Sequence, residues 1–182
     1  MLKWAFFVSG RGSNMKSLLD GAMADDVALV VSNRRSALAL EHCHRRSQET
    51  YLMEGSDPWQ DLDRALQNRG VNALFLLGFM KIIPKEFVRK WQGSIINVHP
   101  SLLPAYPGLK SIERSFLDNA PMGVTVHEVT EEVDAGEIIL QEKLIDRPQQ
   151  SGLSLNELQF RIHLIEHQLI RKAVKLWIPK RI

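Results

Sequence analysis

At 182 residues, 45% of them hydrophobic and 24% charged, the chain has the length and composition of one ordinary soluble domain, residues 1–182, with room for a substantial core. Lys and Arg (23) nearly balance Asp and Glu (21); this argues against a nucleic-acid binder, and Arg34-Arg35, Arg45-Arg46 and Lys180-Arg181 read as solvated basic pairs. The single cysteine, Cys43, excludes an internal disulfide and a multi-cysteine zinc site, and the adjacent side chains of His42-Cys43-His44 diverge, so no metal is expected.

Leu2 to Val8 is a near-continuous apolar run, the pattern of a strand covered on both faces. It is too short to cross a membrane and runs into a glycine turn rather than a signal-peptide cleavage site, so a cytoplasmic protein is expected. The loop Ser9-Gly10-Arg11-Gly12-Ser13-Asn14 follows. A helix is predicted over Met15 to Met23, with Met15, Leu18, Leu19 and Ala22 on one face. Next come a strand over Val27 to Ser32, a helix over Ser36 to Arg46 capped by Ser36, and a helix over Asp57 to Arg69 with Pro58 early in it. Val71 to Gly78 reads as a strand, Pro84 to Trp91 as a short helix and Gly93 to Val98 as a strand. Strands alternating with helices in this order imply an open, mostly parallel, Rossmann-like α/β sheet.

The second half differs. Met122 to Val129 alternates, with Val124, Val126 and Glu128 on the face opposite Thr125, His127 and Val129. Ile138 to Leu144 is strand-like, and Asp134-Ala135-Gly136 between the two is a turn signal, so an antiparallel extension of the sheet is expected. From Ser154 to Trp177, Leu155, Leu158, Ile162, Ile165, Leu169, Ala173 and Leu176 recur at helical spacing, and Ser154 with Glu157 forms a capping-box pattern. A long C-terminal helix on the sheet follows from this.

Four features fall at or beside strand ends, where open α/β sheets bind ligands. Ser9 to Asn14 can bring backbone N–H groups to an anion, or serve as a tight strand-to-helix turn. In Leu77-Gly78-Phe79-Met80-Lys81-Ile82-Ile83 the glycine can admit a flat ligand, or the segment can be core. Asn97 and His99, two residues apart before Pro100, face the same side of an extended segment. The amide can hold a developing oxyanion and the imidazole can move a proton, which is equipment for acyl chemistry. Glu131-Glu132-Val133-Asp134-Ala135-Gly136 offers a carboxylate; if Asp134 reaches His99 it favours the imidazolium. Neither a Gly-x-Ser-x-Gly elbow nor a catalytic-type cysteine motif is present, so attack by the substrate's own amine is the economical route.

These residues resemble the folate-dependent phosphoribosylglycinamide formyltransferase family over nearly the whole chain. Ser9 to Asn14 is similar to that family's phosphate loop, Leu77 to Ile83 to its folate segment, and Asn97-Val98-His99-Pro100-Ser101-Leu102-Leu103-Pro104-Ala105-Tyr106-Pro107-Gly108 to its signature. Gly123-Val124-Thr125-Val126-His127, Val133-Asp134-Ala135-Gly136 and Glu166-His167 also match. The His-Pro-Ser-Leu-Leu-Pro core is shared with methionyl-tRNA formyltransferase, but that enzyme's additional C-terminal domain is not expected from the residues after the last helix, so a tRNA acceptor is not the expected one.

The resemblance implies transfer of the formyl group of 10-formyltetrahydrofolate, a co-substrate, to the amine of glycinamide ribonucleotide in purine biosynthesis, without metal or nicotinamide. It implies His99 as the acid/base group, Asn97 as the oxyanion donor and Asp134 as the group orienting His99 and a water. It also implies Gly12, Ser13 and Asn14 on the ribose phosphate and Glu166 on the glycinamide amine. Met80, Lys81, Ile82, Ile83, Asn97, Thr130, Glu131, Glu132, Val133 and Asp134 would line the folate site. The implied partners are a phosphorylated amine and a folate, with no nucleic acid or membrane; a homodimer stays open. Lys110-Ser111-Ile112 stands where the family carries a histidine-containing segment, and a basic residue of the folate side is replaced near Trp59. A deformylase-type hydrolase, a transferase for another phosphorylated amine and a non-catalytic folate- or nucleotide-binding module are the competing readings. Three retained polar groups, Asn97, His99 and Asp134, argue against the last.

Overall fold

The computed structural model describes residues 2–21 and 23–179. Its strands, β1 (Trp4–Val8), β2 (Val27–Ser32), β3 (Thr50–Leu52), β4 (Ala73–Leu76), β5 (Ile95–His99), β6 (Met122–Glu128) and β7 (Ile138–Ile145), form one seven-stranded sheet in the order β3-β2-β1-β4-β5-β6-β7, mostly parallel with an antiparallel C-terminal pair. Two compact units divide the chain, one reaching from the N-terminus to Ile96 with Pro179, the other spanning Asn97–Ile178. Among the described residues no helix is long and apolar enough to cross a membrane. The pair Lys180-Arg181 lies outside the described residues.

In the first unit β1 (Trp4–Val8) is buried at every residue, as its unbroken apolar run requires. It pairs in parallel with β2 (Val27–Ser32) and with β4 (Ala73–Leu76), and β2 pairs in parallel with β3 (Thr50–Leu52). The three-residue β3 was not expected; Thr-Tyr-Leu is too short to show any alternation. Helix α1 (Ser13–Leu19) starts two residues before the predicted Met15 and stops before Met23. Gly12 adopts φ 73°, and its carbonyl accepts the Lys16 N–H at 2.8 Å, so the first turn closes on Gly12; apolar spacing marks a helix face and not its start. A 3-10 turn at Ala24–Asp26 follows, and Ala22 lies outside the described residues.

Helix α2 covers Leu38–His44, shorter than predicted, and Ser36 does not cap it. The Ala37 N–H instead donates to the Arg34 carbonyl at 3.2 Å, making residues 34–37 a turn. In α3 (Pro58–Asn68) the Asp57 carboxylate accepts the Gln60 N–H at 3.1 Å, and proline occupies the first turn, where it forfeits no helical hydrogen bond. Helix α4 spans Lys85–Lys90. Cys43 is buried, its sulfur 3.6 Å from that of Met15, and burial pushes the thiol up to about 11.

Strand β5 (Ile95–His99) carries the boundary between the units. In the second unit β6 (Met122–Glu128) and β7 (Ile138–Ile145) are antiparallel, with Thr125 opposite Gln141. Helix α5 (Ser111–Leu117) was not predicted. Its buried residues are Ser111, Ile112 and Ser115, and the two serines donate to the carbonyls of Pro100 (3.2 Å) and Ile112 (3.0 Å). A helix whose inner face is mostly hydroxyl groups has no apolar periodicity to read. Helix α6 (Leu155–Leu176) packs against β6 and β7 and opens on the predicted capping box between Ser154 and Glu157. Leu158, Ile162, Leu169 and Ala173 are buried as expected, Leu176 is exposed, and Glu166 is buried within the apolar stripe.

Candidate active site

In the second unit the end of β5 places Asn97 and His99 two residues apart, and the structure brings Asp134 to both. Asp134 Oδ2 is 3.4 Å from His99 Nδ1, and Asp134 Oδ1 is 3.4 Å from Asn97 Nδ2. His127, from β6, completes the cluster: its Nε2 is 3.2 Å from Asn97 Nδ2 and 3.5 Å from Asp134 Oδ1. Its Nδ1–H donates to the Glu128 carbonyl at 2.8 Å, so a neutral ring accepts from the Asn97 amide and a protonated ring donates to Asp134. The sequence places His127 in a matching strand and assigns it no role. The available signal was a histidine alternating with Thr125 along a strand between apolar residues, and both are buried to 1% or less.

Backbone groups orient this cluster. His99 Nε2–H donates to the Tyr106 carbonyl at 2.9 Å, which commits that nitrogen and leaves Nδ1, on the Asp134 side, as the site of proton exchange. The Gly108 N–H donates to Asp134 Oδ2 at 2.7 Å. Burial alone would push the Asp134 carboxyl up; hydrogen bonds from His127 and Gly108, with the charge of both imidazoles, outweigh it and hold the carboxyl down at about 2. Tyr106 (φ 56°) and Asp134 (φ 53°) both occupy the left-handed region without being glycine, a strain that collects at functional sites. Gly136 keeps the Asp134 loop tight: a Cβ there would lie 1.8 Å from the Glu128 carbonyl oxygen. On the other side of His99, Thr125 Oγ1 donates to the Ser101 carbonyl (2.7 Å) and accepts the Leu103 N–H (3.2 Å), fixing the segment after Pro100 to β6.

Glu166 is 5% exposed on α6, and its carboxylate meets His163 Nδ1 at 2.8 Å. Thr130, Glu131, Glu132 and Val133 form the exposed part of the loop before Asp134, with Thr130 Oγ1 donating to the Glu132 carbonyl at 3.1 Å.

The other expected binding segments belong to the first unit. Gly12 is required where it stands, because a Cβ would meet that of Ala39 at 2.6 Å in addition to the positive φ. Ser13 is exposed, whereas Asn14 is packed inward. Met80 to Ile83 is not core: Met80 is 55% and Ile82 82% exposed. Phe79 stacks edge-on against Trp59 at 6.3 Å, and Lys81 Nζ lies 5.9 Å from the centre of the Trp59 ring, so Trp59 braces this segment. Ser9 anchors its start, accepting the Met80 N–H at 2.8 Å and donating to Asn33 Oδ1 at 2.6 Å. Ser9→Ala removes both bonds in a part-buried setting, and we expect a loss of about 1 kcal/mol, read as a lower urea midpoint at unchanged m-value.

The formyl transferase family model matches residues 2–174. Phosphoribosylglycinamide formyltransferase of Haemophilus influenzae is 33% identical over 193 residues, covering 100% of this chain and 90% of the relative. The human trifunctional purine biosynthetic protein adenosine-3 is 32% identical over 94% of this chain, which spans 18% of that longer protein. The crystal structure of phosphoribosylglycinamide formyltransferase from Anaplasma phagocytophilum superposes with a TM-score of 0.86 at 33% identity, over 96% of this chain and 86% of that one. With a match across nearly its whole length and an amide, two imidazoles and a carboxylate gathered at one strand end, the chain belongs to the formyl transferase family.

Proposed function

We propose that this protein transfers the formyl group of 10-formyltetrahydrofolate to the amine of glycinamide ribonucleotide, a step of purine biosynthesis. The observation that carries the reading is the contact of Asn97, His99 and Asp134, in a chain whose relatives of similar length are named for this reaction. The substrate amine attacks the formyl carbon and negative charge develops on the formyl oxygen. Asn97 Nδ2 and the protonated Nδ1 of His99 are the donors for that charge. Asp134, held ionised by its neighbours, orients His99 and a water, and the amine proton passes through that water to His99 Nδ1 as His99 delivers its own proton to the departing folate nitrogen. No enzyme nucleophile is needed.

Gly12, Ser13 and Asn14 are assigned to the ribose phosphate and Glu166 to the amine. Met80, Lys81, Ile82 and Ile83, together with Thr130, Glu131, Glu132 and Val133, are assigned to the folate. The exposed apolar side chains of Met80 and Ile82 support this, since a pterin presents a flat apolar face.

An acceptor screen tests the proposal. Purified protein is given 10-formyltetrahydrofolate with glycinamide ribonucleotide, with other phosphorylated amines, and with water alone. Formylated glycinamide ribonucleotide is the expected dominant product. Formate release at the same rate without an amine establishes a hydrolase, and preference for another phosphorylated amine reassigns the acceptor.

A further inference from the structure

His99 Nε2–H is bonded to one backbone carbonyl, that of Tyr106, and the nearby Gly108 N–H reaches Asp134, which faces Nδ1 of the same ring. Both groups sit in a loop, residues 104–110, that is exposed over much of its length and carries two non-glycine residues in the left-handed region, Tyr106 and Lys110. Arg114 of α5 and Asp118, the residue just past its C-terminal end, both bond to it. Arg114 Nη1 donates to the Pro107 carbonyl at 2.7 Å and approaches the Leu109 carbonyl at 3.4 Å, while its guanidinium lies 5.4 Å from the centre of the Tyr106 ring. Asp118 accepts the Tyr106 hydroxyl at 2.9 Å.

We propose that Arg114 and Asp118 are positioning residues for formyl transfer, clamping the Tyr106–Leu109 loop so that one backbone carbonyl fixes His99 as the Nε2–H tautomer and one N–H steadies Asp134. The inference rests on the proposed function for its kinetic part, and on geometry alone for the tautomer. Arg114 reaches both carbonyls through one nitrogen, Nη1, while its planar guanidinium faces the Tyr106 ring, a stacking contact that a lysine ammonium does not reproduce. Both side chains are solvent-exposed, where polar contacts add little to global stability, so the clamp acts on local geometry. Misplacing a catalytic group by a fraction of an ångström to an ångström costs about tenfold to a hundredfold in rate.

The test compares wild type with Arg114→Ala, Asp118→Asn and the double variant. Turnover is expected to fall about tenfold in Arg114→Ala, with KM for both substrates within about twofold. The double variant should fall little further, because both side chains hold one loop. In protein labelled with 15N-histidine, the neutral His99 ring of wild type should report the Nε2–H form, and Arg114→Ala should show a mixture of tautomers. Arg114→Lys should recover less than half of the lost rate, and guanidinium ion added at low concentration should restore part of the Arg114→Ala loss. An unchanged His99 spectrum in Arg114→Ala overturns the clamp, as does a tautomer mixture with full turnover. Failure of the wild type to formylate glycinamide ribonucleotide would remove only the proposed acceptor, since the imidazole spectrum needs no substrate.

Discussion

His99→Ala is expected to lower kcat by about 10³-fold, in the range found when a positioned acid/base group is removed. That corresponds to about 4 kcal/mol of the barrier. KM for each substrate should stay within a few-fold, because the ring's task arises as charge develops and not in ground-state binding. The geometry makes this the largest single loss: with Nε2 held by the Tyr106 carbonyl, Nδ1 is the nitrogen that faces Asp134, and no other side chain there can replace it. His127 is too committed to substitute, because its Nδ1 is spent on the Glu128 carbonyl and its Nε2 is shared by Asn97 and Asp134. Steady-state formyl transfer measured on the folded variant decides the matter. Retention of activity within a few-fold of wild type would falsify the assignment of His99 as the proton-transfer group.

Asp134→Asn should be nearly as damaging, and it carries a signature in stability as well as in rate. Asparagine tolerates the left-handed backbone at this position, so the loop keeps its shape while the charge is lost. Turnover is expected to drop by about 10²–10³-fold, since an amide can neither hold the protonated His99 ring nor relay a proton. The stability effect has a definite sign. The carboxyl moves from its ordinary value of 3.8 to about 2 in the folded protein, so the folded state prefers the ionised form. Its contribution, about 2 kcal/mol, is fully present above the unfolded value and disappears as pH falls through the folded one. The free-energy gap between wild type and Asp134→Asn should therefore narrow as pH falls between about 4 and 2. Urea titrations of both proteins across that range measure it; a gap that does not change with pH refutes the bonded, ionised carboxylate.

Much of the fold was legible because its signals are local. The apolar run of β1 marks a strand buried on both faces, Asp57 and Pro58 mark the start of α3, and Ser154 with Glu157 marks that of α6. Elsewhere a local signal lost to a tertiary one. Ser36 has the chemistry of a cap, but the neighbouring turn through Arg34 and Ala37 moved the helix start past it. Helix α5 has no apolar stripe because serines line its inner face, and β3 is too short to show a period. Only the resemblance singles out Glu166, and nothing in the helical spacing shows that it is buried among the apolar positions.

The pair Asn97 and His99 could be singled out from sequence alone, since an i, i+2 spacing before a proline dictates a shared face whatever surrounds it. Glycine at 12 and 136 and the turn at Asp134 could be read for the same reason, because each is a requirement of the backbone itself. What the tertiary structure decided is which groups meet. It brought Asp134 and His127 to the β5 end from residues some thirty positions away, and it set the Tyr106 carbonyl and the Gly108 N–H against His99 and Asp134. Backbone donors and acceptors are the same at every residue, so nothing in a sequence distinguishes the one that fixes a tautomer; only the path of the folded loop does.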